Sequence, residues 1–86
     1  MDGRQRVLEA RAIMREIDVE YIAARNARQI QLCKDLLARG KTPPAELYRS
    51  IDRDLETAEL IRFKGLDLRD AQARVSEAHR YHREHR

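Results

Sequence analysis

The feature that most constrains this chain is a short stretch of helix-ending residues near its midpoint, at positions 39–44. Gly40 can adopt the left-handed conformation that closes a helix. Thr42 can accept a hydrogen bond from an early amide of the next helix, and Pro43 suits a first helical position. Helix-forming residues lie on both sides of this stretch, so it predicts the turn of a long helical hairpin.

The segments around the turn predict an all-α protein with one domain over residues 1–86. Nothing interrupts a helix from about 3 to 39, and after a turn at 40–42 a second helix is predicted from about 43 to 64. Sheet formation is disfavoured because aromatic residues are few and no useful segment alternates apolar with polar residues. A chain of this size buries only about 60% of its unfolded surface, so the core must be thin.

A second stop signal lies at Gly65, which breaks or kinks the second arm of the hairpin if it adopts the left-handed conformation. Leu66 then falls where a Schellman closure places an apolar contact with Ile61. Asp67 can cap a third helix over about 67–84. The alternative is a straight helix that carries Gly65 at a cost of about 1 kcal/mol.

The first helix has two apolar faces. One follows the a and d positions of a heptad and consists of Val7, Ala10, Met14, Ile17, Tyr21 and Ala24. The other is the candidate docking strip for a protein partner and consists of Val19, Ile22, Ile30, Cys33 and Leu37. Two such faces are more than one neighbouring helix can cover. The pattern predicts a homodimer that packs as a coiled coil or helical bundle, and a small regulator that acts by binding another protein.

A basic stretch supports a second hypothesis, binding to nucleic acid. The candidate phosphate contacts are Arg25, Arg28, Lys34, Arg39 and Lys41. The preferred interpretation is internal charge pairing, because folding about residue 42 would bring Arg25 toward Glu59 and Arg28 toward Glu56. A helix-turn-helix motif around Gly65 fits poorly, since charged residues occupy positions that this motif buries. A third possibility is a purely structural subunit of a larger assembly.

No pattern in the sequence predicts catalysis, a cofactor or a metal site. His79, His82 and His85 lie three residues apart, a spacing that could offer a weak metal site, but the neighbouring arginines would repel a cation. Cys33 is the single cysteine, which favours a reducing compartment. We expect no signal peptide or membrane span, because the longest apolar runs are about four residues, and therefore expect a cytoplasmic location.

Overall fold

The structure is a computed structural model that describes residues 3–84, and within that range it contains three α-helices and no strand. The helices are α1 (Gly3–Ala38), α2 (Ala45–Lys64) and α3 (Leu68–Glu84). The predicted all-α class is confirmed. None of these helices is both long enough and apolar enough to cross a membrane.

A Schellman closure ends α1 at the glycine that the sequence singles out. Gly40 has a φ of +74°, in the left-handed region. Its amide donates to the carbonyl of Leu37 at 3.0 Å, and the amide of Lys41 donates to the carbonyl of Leu36 at 2.9 Å. These two bonds satisfy carbonyl groups that the end of a helix otherwise leaves without donors.

The beginning of α2 differs from the prediction. The residue that precedes the helix is Pro44, with an extended backbone (φ −61°, ψ 145°), and no side chain caps the helix. Thr42 is therefore not the cap, and α2 begins at Ala45, two residues after Pro43. The reason is local, because a residue that precedes a proline is sterically disfavoured from the helical region and Pro43 precedes Pro44.

Gly65 breaks the second arm, as the hypothesis of three helices requires. Its φ of +67° ends α2, and Leu66 turns inward to pack against the core that contains Ile61. Asp67 caps α3, because its Oδ1 accepts a hydrogen bond from the amide of Asp70 at 2.8 Å. The straight-helix alternative is wrong.

The helices α1 and α2 run antiparallel, but in a register that differs from the predicted one. Arg25 contacts Asp54, and Gln29, one turn later on α1, contacts both Asp54 and Ser50, one turn earlier on α2. The predicted register places Arg25 beside Glu59, about five residues farther along α2. Residues 41–44 are not helical. This connection lets α2 begin back along α1, so that in the observed register Ala45 lies near the level of residue 34.

One small apolar core joins the three helices. Ile22 of α1, Ile61 of α2 and Ala71 of α3 are at most 1% exposed and form a single cluster. Farther along α3, His79 Nε2 lies 2.9 Å from Glu56 Oε2, so α3 runs back beside α2. The result is a flat molecule with extents of 58 × 33 × 15 Å.

The beginning of α1 has no helix alongside it. At 1.5 Å per residue α1 is about 54 Å long and α2 about 30 Å, and in the observed register the end of α2 lies near residue 15 of α1. Every residue from 3 to 14 is exposed, and we call residues 3–14 the N-terminal arm. The radius of gyration is 16.3 Å, against about 12 Å for a compact domain of this length.

Candidate interaction surfaces

The heptad face of α1 is an apolar surface that the described part of the fold leaves exposed. We call it the α1 seam: Val7, Ala10, Met14, Ile17, Tyr21 and Ala24. Its four large side chains, Val7, Met14, Ile17 and Tyr21, are between 49% and 56% exposed. The seam extends from the N-terminal arm into the part of α1 that packs on α2. It lies about a third of the helix circumference away from the buried residues Ile22 and Cys33, so α2 does not cover it.

The predicted docking strip is divided by the fold. Ile22 and Cys33 are buried, and Val19 packs against the central core. The prediction that these three residues form a surface strip is therefore corrected, because α2 or the core already occupies that side of α1. Ile30 and Leu37 remain exposed, at 38% and 58%.

A pair of exposed residues on α2 was not recognised as surface in the sequence. Tyr48 and Leu55 lie seven residues apart, on one stripe of the helix, and each is about half exposed. Ile30 and Leu37 have the same seven-residue spacing on α1. We call these four residues the secondary patch. The seven-residue spacing is visible in the sequence. Only the packing shows that the neighbouring helices cover part of the apolar face of α2 and leave Tyr48 and Leu55 half exposed.

A polar network crosses the interface between α1 and α2. The carboxylate of Asp54, which is 5% exposed, accepts hydrogen bonds from Arg25 Nε at 3.1 Å and from Gln29 Nε2 at 2.7 Å. Arg25 Nη2 lies 2.5 Å from Asp54 Oδ1, and Ser50 Oγ donates to Gln29 Oε1. The hydrogen bond to Asp54 is the main cause that raises the pKa of the Arg25 guanidinium. The guanidinium also lies over the ring of Tyr21, 5.7 Å from its centroid.

The basic stretch is only partly neutralised. Arg25 pairs with Asp54, whereas Arg28, Lys34, Arg39 and Lys41 form no ion pair within residues 3–84. The predicted contact between Arg28 and Glu56 is wrong, because the register differs and Glu56 contacts His79 instead. Arg28 and Lys34 are six residues apart, which places them on different sides of α1, so the four exposed cations do not form one stripe.

The three histidines do not converge. His79 contacts Glu56, and the ring of His82 packs edge-on against Tyr81 with centroids 5.9 Å apart. His85 lies outside the described residues. In the part of the chain that the structure describes, no group of three or more histidine, cysteine or acidic side chains is arranged to hold a metal ion.

Comparison with known proteins identifies no relative. No protein-family model matches the chain, and no curated protein or solved structure is significantly similar to it.

Proposed function

We propose that this protein is a small non-enzymatic interaction module, a regulator that works as a homodimer and binds another protein through exposed apolar helix faces. The observation that carries the proposal is the α1 seam, a continuous apolar stripe that no helix within residues 3–84 covers. Single exposed apolar residues are common on monomeric proteins, but a contiguous apolar patch indicates an interaction site.

The total surface area supports the same conclusion. The chain exposes 6966 Å², whereas a compact monomer of 10.1 kDa exposes about 5,300 Å². The difference of about 1,700 Å² exceeds the roughly 800 Å² that each partner contributes to a standard interface. A flat shape and a long unaccompanied arm are the sources of this extra surface. Association would cover it without any change in the fold of each chain.

The secondary patch is the proposed site for the protein partner. Ile30, Leu37, Tyr48 and Leu55 supply apolar contact area. Lys34 lies beside this patch, because it is four residues after Ile30 and three before Leu37, and it is exposed and without an ion pair within residues 3–84. In protein interfaces such a charge at the rim orients the partner, and apolar burial supplies affinity. A dimer that uses the α1 seam would leave this patch open.

Two measurements test the proposal. Sedimentation equilibrium at micromolar concentration should give twice the mass of one chain, with the helical signal of the folded protein. Recovery of partners from the native cell should then be abolished by Ile30→Asp and weakened by Lys34→Glu. Ala73→Asp, an exposed change on α3 outside both surfaces, is the matched control. A fully helical monomer whose partner recovery is unaffected by Ile30→Asp would contradict the proposal.

Binding to nucleic acid is the second candidate, and the observation in its favour is the set of exposed cations without partners. Phosphate contacts are strongest at low ionic strength, because binding releases condensed counterions. If this candidate is correct, the protein should retard duplex or single-stranded nucleic acid at low salt, and Arg28→Glu should weaken the binding. Absence of binding at low salt would exclude it.

A further inference from the structure

The α1 seam lies on a helix whose charged residues are unevenly distributed along its length. We infer that a second copy of this chain covers the seam, with the two α1 helices antiparallel and the symmetry axis between Arg15 and Glu16. This inference rests on the proposed function, since it specifies which surface makes the dimer and in which orientation.

Charge changes sign near the midpoint of the seam. The first half contains four arginines against Glu9, and the segment that follows contains three acids and no base: Arg4, Arg6, Arg11 and Arg15, then Glu16, Asp18 and Glu20. Within residues 3–84 the structure pairs none of these seven side chains with an opposite charge. Like charges are also spaced four residues apart, at Arg11 and Arg15 and at Glu16 and Glu20, which disfavours an isolated helix. An antiparallel copy places the basic half beside the acidic segment.

Side-chain sizes along the seam agree with this orientation. With the axis between residues 15 and 16, Ala10 lies opposite Tyr21 of the second copy, and Met14 lies opposite Ile17. Val7 lies opposite Ala24. In the outer two layers a large side chain therefore faces an alanine, which favours close packing of the two helices. A parallel dimer would instead place Tyr21 against Tyr21 and Ala10 against Ala10.

The residues that flank the seam distinguish the two orientations further. In the antiparallel arrangement Arg11 lies beside Asp18 of the second copy, and symmetry produces this pair twice. Asp18 is partly buried, and its side chain forms no hydrogen bond or ion pair with another residue in the range 3–84. In a parallel arrangement Arg6 would face Arg11 of the second copy, and the like charges would repel. The antiparallel alignment also places Arg4 beside Arg25 of the second copy, and a parallel one would place Glu20 beside Arg25. Because Arg25 already pairs with Asp54 of its own chain, the charges of Arg11 and Asp18 decide the comparison, and they favour the antiparallel dimer.

The seam itself is tested by one substitution and a matched control. Ile17→Asp should weaken dimerisation at least 100-fold and give a monomer at micromolar concentration by sedimentation, because it places a carboxylate in the centre of the interface. Ala23→Asp adds the same charge on another side of α1 and should leave the dimer intact. Circular dichroism checks that both variants remain helical. If Ile17→Asp dimerises as well as the wild type, the seam is not the interface.

Charge reversal tests the orientation. Arg11→Glu should weaken an antiparallel dimer about tenfold, because it faces Asp18 of the second copy, but it should strengthen a parallel dimer by relieving the contact with Arg6. Asp18→Lys should also weaken the dimer. The double variant, with both changes, restores opposite charges and should recover most of the lost affinity. A stronger dimer for Arg11→Glu alone would overturn the antiparallel orientation.

A distance measurement provides an independent check. Gln5→Cys in a Cys33→Ser background introduces one spin-label site per chain, at the position farthest from the seam. Because each label lies on the outer side of its helix, a parallel dimer separates the two labels by about 25 Å across the helix pair. The antiparallel dimer adds an offset of about 32 Å along the helix axis, which gives a distance of about 40 Å. A pulsed electron-resonance distance of about 30 Å or less would contradict the inference.

The outcomes separate this inference from the proposed function. A wild-type monomer contradicts the homodimer and the antiparallel seam together. A wild-type dimer that tolerates Ile17→Asp, or that shows a short label distance, overturns only the seam or its orientation and leaves the homodimer in place.

Discussion

Replacing Arg25 with methionine should destabilise the fold, because the change leaves Asp54 buried without its counter-charge. Asp54 lies between α1 and α2, and Arg25 supplies two of the three side-chain contacts to its carboxylate. Gln29 supplies the third. Methionine keeps much of the length and apolar character of the arginine stem, so the variant isolates the loss of the guanidinium.

The magnitude follows from the burial of the two partners. Removing one member of a fully buried ion pair costs about 3–5 kcal/mol, whereas an exposed pair contributes about 0–1 kcal/mol. The Asp54 side chain is 7% exposed and the Arg25 side chain 36%. Since the carboxylate is buried but the guanidinium reaches solvent, we expect a loss of about 2–3 kcal/mol in the free energy of unfolding.

Urea unfolding followed by circular dichroism at one fixed protein concentration measures this loss. With a slope of about 1 kcal/mol per molar urea for a small domain, the midpoint should fall by about 2–3 M. Arg28→Met is the matched control, because Arg28 is exposed and lacks an ion pair within residues 3–84, and it should change the stability by less than about 0.5 kcal/mol.

A second variant keeps the prediction testable even if Arg25→Met does not fold. The double change Arg25→Met with Asp54→Leu removes the buried charge as well, and apolar replacements of buried ion pairs are often neutral or stabilising. It should recover at least half of the lost stability, or the lost helical signal. A loss below about 0.5 kcal/mol for Arg25→Met, or a double variant less stable than the single one, would refute the reasoning.

The pH dependence of this pair has a definite sign. The hydrogen bond to Asp54 raises the pKa of Arg25 above its already strongly basic value. A raised pKa means that the contribution to stability is fully present below the unfolded-state pKa and is lost only as the pH rises through the folded-state value. The stability difference between wild type and Arg25→Met should therefore be the same at pH 7 and at about pH 10. A difference that disappears by pH 10 would show that another group is responsible.

Three further predictions concern the local signals and the core, and thermal unfolding measures each. Gly65→Ala should lower the free energy of unfolding by about 1 kcal/mol, because Gly65 has a positive φ that alanine adopts only with strain. The strain is the whole effect, since an added Cβ would meet no atom within 4 Å. Gly3→Ala, at a site without a positive φ, should be neutral or slightly stabilising. Asp67→Ala should also cost about 1 kcal/mol, because it removes the cap of α3, and an unchanged melting temperature would contradict that role. Ile22→Ala should lower the free energy of unfolding by about 2–5 kcal/mol, because it leaves a cavity in the core. The control Leu55→Ala, at a half-exposed site, should lower it much less. Similar losses at the two sites would argue against the burial of Ile22.

Several parts of the fold could be predicted because their causes are local. Gly40 and Gly65 both adopt the left-handed conformation, and Asp67 caps α3 as its position beyond Gly65 suggests. The incorrect cap at Thr42 also has a local cause, since Pro44 excludes its predecessor from the helix.

The candidate surfaces could be predicted only in part. Both apolar faces of α1 are visible in the sequence, and by local criteria they are equivalent. Burial of Ile22 and Cys33 depends on where α2 lies, so the choice of the exposed face is a tertiary property. The pairing of Arg25 with Asp54 is tertiary for the same reason, because it depends on the register between the two helices.

The sequence by itself determined which segments are helical and where they end, because left-handed glycines, caps and prolines act over a few residues of the backbone. Only the tertiary structure decided the register of α2 on α1, the burial of Ile22 and the exposure of the α1 seam. The physical reason is that the four non-helical residues 41–44 set how far back α2 begins along α1. That offset determines which side chains are covered, and it leaves no other helix of the described range beside the N-terminal arm.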